Sequence, residues 1–413
     1  MRKIVAILLM TITLLSTSPM HTESVEEYKL YSKIRIYDDS MFDAEHGVVR
    51  GSGTKDDPYI IEGWKIDASK GVGIYIRDAK SCFIIRNCLI ENGSRSEIPF
   101  EGIVLERVRN GRIENCIFRN NRYGIRVYES SNITIVNCAV YNSSGYIEMM
   151  KMGISEGAIE VDVSENVTII GCKLHKNYGD GVFLAFTNHS VVRDCEACGN
   201  LVGGVSIWWS SDNLVTNCTV CNNTRGIYLV KASNNTVRGC KAYGNGHGLS
   251  ILASSGNVIT GCTVSGNYRG IYIDPFATNL VYNNFFNNTG KFVFRNETLS
   301  AKNWEIQGGY NFSTCKWNTS KVRGRSIAGG QYIGGNYWDD YNGADEDKDG
   351  IGDTNIPYGP GDYLPLVRVG VAEEKPSTWL QAWTVACFIP IIVMVMVVAY
   401  LLIKRRRQAV KSG

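Results

Sequence analysis

Asp345, Asp347, Asp349, Ile351 and Asp353 alternate along one short segment, with Gly350 at its centre. Carboxylates at the first, third, fifth and ninth places of such a loop, and a main-chain carbonyl at the seventh, can wrap one hard cation in oxygen. Four carboxylates this close in sequence repel one another unless a cation sits among them. The spacing therefore predicts a structural Ca²⁺ loop. Its twelfth place is Ile356 rather than glutamate, so another carboxylate, such as Asp340 or Asp362, must close the shell. The plainer alternative is a solvated acidic turn.

A second acidic group is Glu160, Asp162 and Asp180, with Arg126 nearby in the repeat described below. Glu160 and Asp162, two apart on one strand, have backbones about 6.6 Å apart. That is close to the spacing of the acid and base in an inverting glycosidase. A solvated strand face is the competing reading. A segment inserted at 143–156 would overhang these residues. Phe183, Trp208, Trp209 and Tyr228 read as an outward aromatic platform able to stack on sugar rings, although aromatic residues also simply favour strands. His247 lies between Arg225 and Arg269 in the stack and forms a basic edge suited to anionic sugars. Cys195-x-x-Cys198 and Cys218-x-x-Cys221 imitate a zinc spacing. The repeat explains that spacing and places Cys198 and Cys221 at one outward position of adjacent coils, where a disulfide fits.

These residues are positioned by a phrase that returns about every 22 residues. It opens on Gly73, Gly102, Gly124, Ala158, Gly181, Gly204, Gly226, Gly248 and Gly270. An alternating apolar strand follows each opener, then an Asn-rich turn, then a cysteine at Cys88, Cys116, Cys138, Cys172, Cys195, Cys218, Cys240 or Cys262. Three short period-2 strands per repeat, with no helical period between them, predict an all-β parallel β-helix. Proline is absent between Pro99 and Pro275, as strands bonded on both edges require. Strand parity turns the cysteines inward as a column of small buried apolar groups.

The ends set the compartment. Residues 1–21 read as a secretory signal, with Arg2-Lys3 ahead of an apolar run too short to span a bilayer. Residues 383–403 are apolar and of spanning length, and Lys404-Arg405-Arg406-Arg407 places the 404–413 tail in the cytoplasm. Between them come an N-terminal cap (22–59), the coils (60–290), a C-terminal cap with the Asp-rich loop (291–367) and a linker (368–382). Two of the 43 basic residues fall in the signal and five in the tail, which leaves 36 against 40 acidic ones. That balance argues against a nucleic-acid partner. Sequons at Asn92, Asn132, Asn142, Asn166, Asn188, Asn217, Asn222, Asn234, Asn287, Asn296, Asn311 and Asn318 offer glycan acceptors. The oligomeric state is left open.

The opening block Gly51-Ser52-Gly53-Thr54 through Asp57-Pro58-Tyr59-Ile60-Ile61-Glu62-Gly63 carries a resemblance. So do the closing Gly334-Gly335-Asn336-Tyr337-Trp338-Asp339-Asp340-Tyr341, the Asp-rich loop and Asp362-Tyr363-Leu364-Pro365-Leu366. Together these blocks resemble an archaeal-type family of cell-surface β-helix proteins, similar to NosD-like copper accessory proteins and to carbohydrate-binding and sugar-hydrolase repeats. The resemblance implies a right-handed helix at the cell surface and a polysaccharide or glycan ligand. It leaves glycan cleavage as an alternative. Copper handling through Met149-Met150-Lys151-Met152 is another, since thioethers bind Cu(I). Gly246-His247-Gly248 resembles a polygalacturonase motif, yet the paired aspartates of the preceding coil are missing.

Overall fold

The computed structural model describes residues 28–95, 99–145, 156–274, 277–294 and 314–369. The segment read as a secretory signal (1–21), the apolar segment 383–403, residues 404–413, Met149–Met152, Asn296 and Asn311 lie outside them. Among the described residues no helix is long and apolar enough to cross a membrane. The chain divides after Val367, and the fold described is that of the first unit.

Three sheets of 12, 11 and 11 strands run the length of this unit, parallel throughout except that Val48–Arg50 joins the edge of the second sheet antiparallel to Tyr59–Glu62. The opening sheet starts each coil and runs from Ile34–Ile36 and Ile74–Arg77 to Arg269–Ile273 and Gly290–Phe294. The second sheet includes Phe83–Arg86 and Leu280–Tyr282, and the third Leu89–Glu91 and Phe285–Asn287. Each strand of the coils pairs in parallel with its equivalent one coil away, as Ile125 does with Ile103 and Ile159. The stack starts earlier than the sequence suggests. Lys29–Tyr31 and Ile34–Ile36, placed in the N-terminal cap by sequence, already extend the third and opening sheets. Phe42 stacks on Tyr59 at 4.7 Å over the first coil, and Trp317 and Trp338 close the far end.

Inward positions are filled by Ile, Val and Leu, as the alternation dictates. The eight cysteines lie where strand parity puts them, all at most 2% exposed. Their thiols face main-chain carbonyls, as Cys116 Sγ does toward Glu114 O at 3.3 Å. Cys198 and Cys221 are opposite one another on neighbouring strands and are joined by a disulfide.

The asparagines divide into two kinds. Asn132, Asn142, Asn166, Asn217, Asn222 and Asn234 take left-handed conformations at exposed turns. Others point inward and form ladders. Asn200, Asn223, Asn245, Asn267 and Asn288 each accept a hydrogen bond from the main-chain N–H of the preceding rung (the first of these rungs from Asn177), and all but Asn223 accept a second from its side-chain Nδ2. A parallel ladder passes from Asn284 to Asn336 and ends on Asp362. Asp362 Oδ2 accepts from Asn336 N at 2.7 Å and from Trp338 Nε1 at 2.9 Å. Between rungs the donor is the N-terminal member, while a second Nδ2 hydrogen bond returns to a carbonyl of the preceding coil, as from Asn245 to Val220 O. In the ladder through Asn284 and Asn336 the last acceptor is a carboxylate, a group without donors.

Candidate functional site

The outward face of the opening sheet gathers most of the chemistry. Its central register column is Arg126, Glu160, Phe183, Ser206, Tyr228, Ser250 and Tyr272. The next column is Tyr128, Asp162, Ala185, Trp208, Val230 and Leu252. The charged and aromatic coil residues singled out from sequence therefore lie along this sheet and its corner, acidic at one end, aromatic in the middle and basic at the other. The Asp-rich loop lies apart in the C-terminal segment.

At the acidic end Glu160 is buried, its Oε1 3.5 Å from Arg126 Nε. Burial pushes its carboxyl up to about 7; Arg126 opposes that shift and Glu156 adds to it. Burial raises Asp162 as well. Beside them sits a group that the sequence reading missed. Glu156 is bonded by Arg122 at 3.0 Å and by the Tyr123 hydroxyl, and Arg122 also lies 3.6 Å from Glu101. Tyr123 is held well above the usual phenol range by burial and by the charges of Glu160 and Glu156. Asp180 is fully buried and accepts a hydrogen bond from Ser206 Oγ at 2.7 Å. It lies over Gly203, where a Cβ would come within 2.2 Å of the carboxylate. Arg122, Tyr123 and Glu156 stand on turns before their strands, where no alternation marks them.

The aromatic middle is not the single open platform the sequence suggests. Phe183 and Tyr228 are buried at 7% and 8% exposure, packed edge-on against half-buried Trp208 at 5.6 and 5.9 Å. The cause is the register. Ser206 stands between Phe183 and Tyr228 in their column, and the large Trp208 ring lies against both. The open surface lies at the corner instead. Trp209 is stacked in parallel with Phe186, centroids 5.3 Å apart, and both are exposed. Lys231 Nζ lies 5.3 Å over the Trp209 ring. These three, with Val163, occupy one corner position in left-handed conformation. Phe186 escaped the sequence reading because a corner phenylalanine shows neither a Gly/Asn turn signal nor strand alternation. Its one mark is position: it stands five residues after Gly181, as Trp209 does after Gly204.

The Asp-rich loop comes together only in part. One carboxylate oxygen each from Asp345, Asp347 and Asp353 lie within 4.8 Å of one another. Asp349 turns instead to the Lys321 ammonium and accepts from Ile351 N. Ile351 is buried and bridges to Leu366. Lys321 also approaches Asp347, at 3.9 Å. Asp362 cannot close the shell, being committed to the asparagine ladder. Among the sequons, Asn188 and Asn318 have their amides engaged with Ser211 and with Thr319 and Tyr363. Asn92 is half-buried and Asn287 exposed.

A family model described as periplasmic copper-binding protein (NosD) matches residues 141–343. Another, described as right-handed beta helix region, matches residues 32–155. The two matches overlap and identify the chain as NosD-like, with a right-handed β-helix fold. No curated protein matches this NosD-like chain in sequence. Solved structures similar to it include the Dettilon tailspike protein, at 14% identity and TM-score 0.48 over 65% of this chain and 56% of that one. The A-module of an Azotobacter vinelandii mannuronan C-5 epimerase is similar at 11% identity and TM-score 0.41, over 57% and 84%. A pectate lyase is similar at 11% and 0.38, over 66% and 79%. The NosD-like chain thus spans little more than half the length of the tailspike, and these likenesses are of fold alone.

Proposed function

We propose that this NosD-like protein is an exported, membrane-anchored surface protein that binds polysaccharide along the opening sheet and its corner. The observation that carries the reading is the exposed, parallel Phe186–Trp209 pair. An offset stack leaves part of each ring face open, and apolar ring faces match the C–H faces of sugars. Groups able to hydrogen-bond hydroxyls flank it on the same sheet. The apolar segments at 4–15 and 383–403 support export and anchorage. Retention of the full chain on a panel of neutral and acidic polysaccharides tests the reading. Phe186→Ala and Trp209→Ala are expected to weaken retention severalfold, since stacking of an aromatic ring contributes about 1 kcal/mol. Unchanged retention in both, or none by the parent protein, would sink the proposal.

One observation favours a second reading, glycan cleavage. Burial raises the Glu160 carboxyl to about 7, where it would serve as a general acid, with Asp162 on the same strand as its candidate base. Released fragments that disappear in Glu160→Gln would establish it.

Asp345, Asp347 and Asp353 are proposed to hold a structural Ca²⁺, with Lys321 displaced from Asp347 on binding. Calcium is expected to raise the melting temperature and chelator to reverse the rise; calorimetry without heat of binding excludes the site. The family description names copper; among the described residues the one group of His, Cys, Asp or Glu side chains placed to share an ion is this set of hard oxygens, and Met149, Met150 and Met152 lie outside those residues. Copper retention by the parent chain, lost on deleting 146–155, would reopen that role.

A further inference from the structure

Arg225, His247 and Arg269 occupy one register column on three consecutive coils. The arginines are about 9.6 Å apart along the stack. Arg225 lies over the Tyr228 ring at 4.6 Å and Arg269 over Tyr268 at 5.5 Å. Arg269 Nη1 is 3.2 Å from His247 Nε2. A guanidinium has no acceptor, so Nε2 must accept and the imidazole proton sits on Nδ1, 3.2 Å from Ser250 Oγ. At the other end of the sheet Arg122 and Arg126 are matched by Glu156 and Glu160. Among the described residues, neither Arg225 nor Arg269 has a carboxylate at ion-pair distance. The column continues into Gly203 below and Gly290 above, which bear no side chains.

We propose that Arg225, His247 and Arg269 form a subsite for the sulfate or carboxylate group of an anionic sugar chain, and that binding there takes up one proton on His247. Two half-buried guanidinium groups without acids, their planes held on tyrosine rings, are arranged to receive anionic oxygens. The assignment rests on the polysaccharide-binding reading of this face and specifies its charge. The groups facing His247 are Arg225 from below, Ser250 on its own strand, and Arg269 and Tyr272 from above; none is a carboxylate. Burial and the two arginines push the imidazole down to about 4. An anion between the arginines cancels their repulsion. A solvent proton then adds to Nε2, Arg269 turns its N–H from Nε2 to the anion, and the imidazolium gains an acceptor. Because the bound state holds the proton more tightly, affinity rises as pH falls.

Dextran sulfate, whose charge is constant over the range, is compared with uncharged dextran on the full-length protein. Arg225→Gln/Arg269→Gln is expected to lower dextran sulfate affinity about tenfold and leave dextran retention unchanged, with Arg225→Lys/Arg269→Lys intermediate. Dextran sulfate affinity is expected to increase severalfold from about pH 7 to about pH 5, and His247→Asn to flatten that increase. Polygalacturonate in place of dextran sulfate separates carboxylate from sulfate recognition. Equal losses on both dextrans, an equal loss from the acidic-end control Arg126→Gln, or no dextran sulfate binding by the parent would overturn the subsite. An unchanged pH slope in His247→Asn would overturn the proton uptake. If Phe186→Ala and Trp209→Ala leave all retention intact while the arginine dependence persists, the corner reading fails and this one stands.

Discussion

Glu160 and His247 carry opposite pH signatures at the scale of single residues. Glu160 is raised in the folded protein to about 7, so its contribution is fully present below the ordinary glutamate range and is lost as pH rises toward neutrality. Glu160→Gln removes that loss. It is expected to stabilise the protein near pH 8 by on the order of 2 kcal/mol, less whatever Arg126 loses as a partner. Urea unfolding at about pH 5 and pH 8 measures the difference, and an unchanged slope with pH would contradict the burial argument. His247 is depressed to about 4, so it contributes above its ordinary value near 6.5 and loses that contribution as pH falls through 4. Strand alternation made Glu160, Asp162 and Arg126 legible in sequence, because a period of two says which side chains share a face. It could not reveal Glu156, Tyr123 or Phe186, which stand on turns and corners, nor that Phe183 and Tyr228 would be buried by Trp208.

At the scale of the element, the turns do two jobs with one residue type. Asn222 is an exposed left-handed turn residue, whereas its neighbour Asn223 is a buried rung. Sequence shows both as Asn-rich turns, and only the direction of the side chain separates them. Asn245 Oδ1 accepts from Asn223 N and Nδ2, and its own amide donates to Val220 O and Asn267 Oδ1. Asn245→Leu strands several of these groups in the interior at about 1–3 kcal/mol each. A loss of roughly 3 kcal/mol or more in chemical unfolding is expected; a loss below about 1 would mean the ladder is incidental. Asn222→Leu, at an exposed turn, should cost mainly its left-handed conformation, about 1–2 kcal/mol. The cysteine column was easier to foresee, since a fixed place in a repeat with known parity determines whether a side chain faces in or out.

For the whole molecule, the repeat period carried the fold, because one phrase returning at constant spacing admits few architectures besides stacked coils. The ends were harder to place. The segment read as an N-terminal cap contributes strands to the stack, since Ile34 and Ile36 fill core positions despite lying outside the repeat phrase. At the far end, Asp362 is buried, held up to about 6 mainly by that burial, and receives the last rung of the Asn284–Asn336 ladder. Asp362→Asn is expected to lower the melting temperature and to produce concentration-dependent association in sedimentation velocity. Parent-like melting and sedimentation would rule that out. In the language of polymerisation, each coil is a monomer whose surface templates the next, and nothing in the repeat itself limits the length. The carboxylate of Asp362 is the chain terminator: it quenches the growing end with a group that has no donor to pass on.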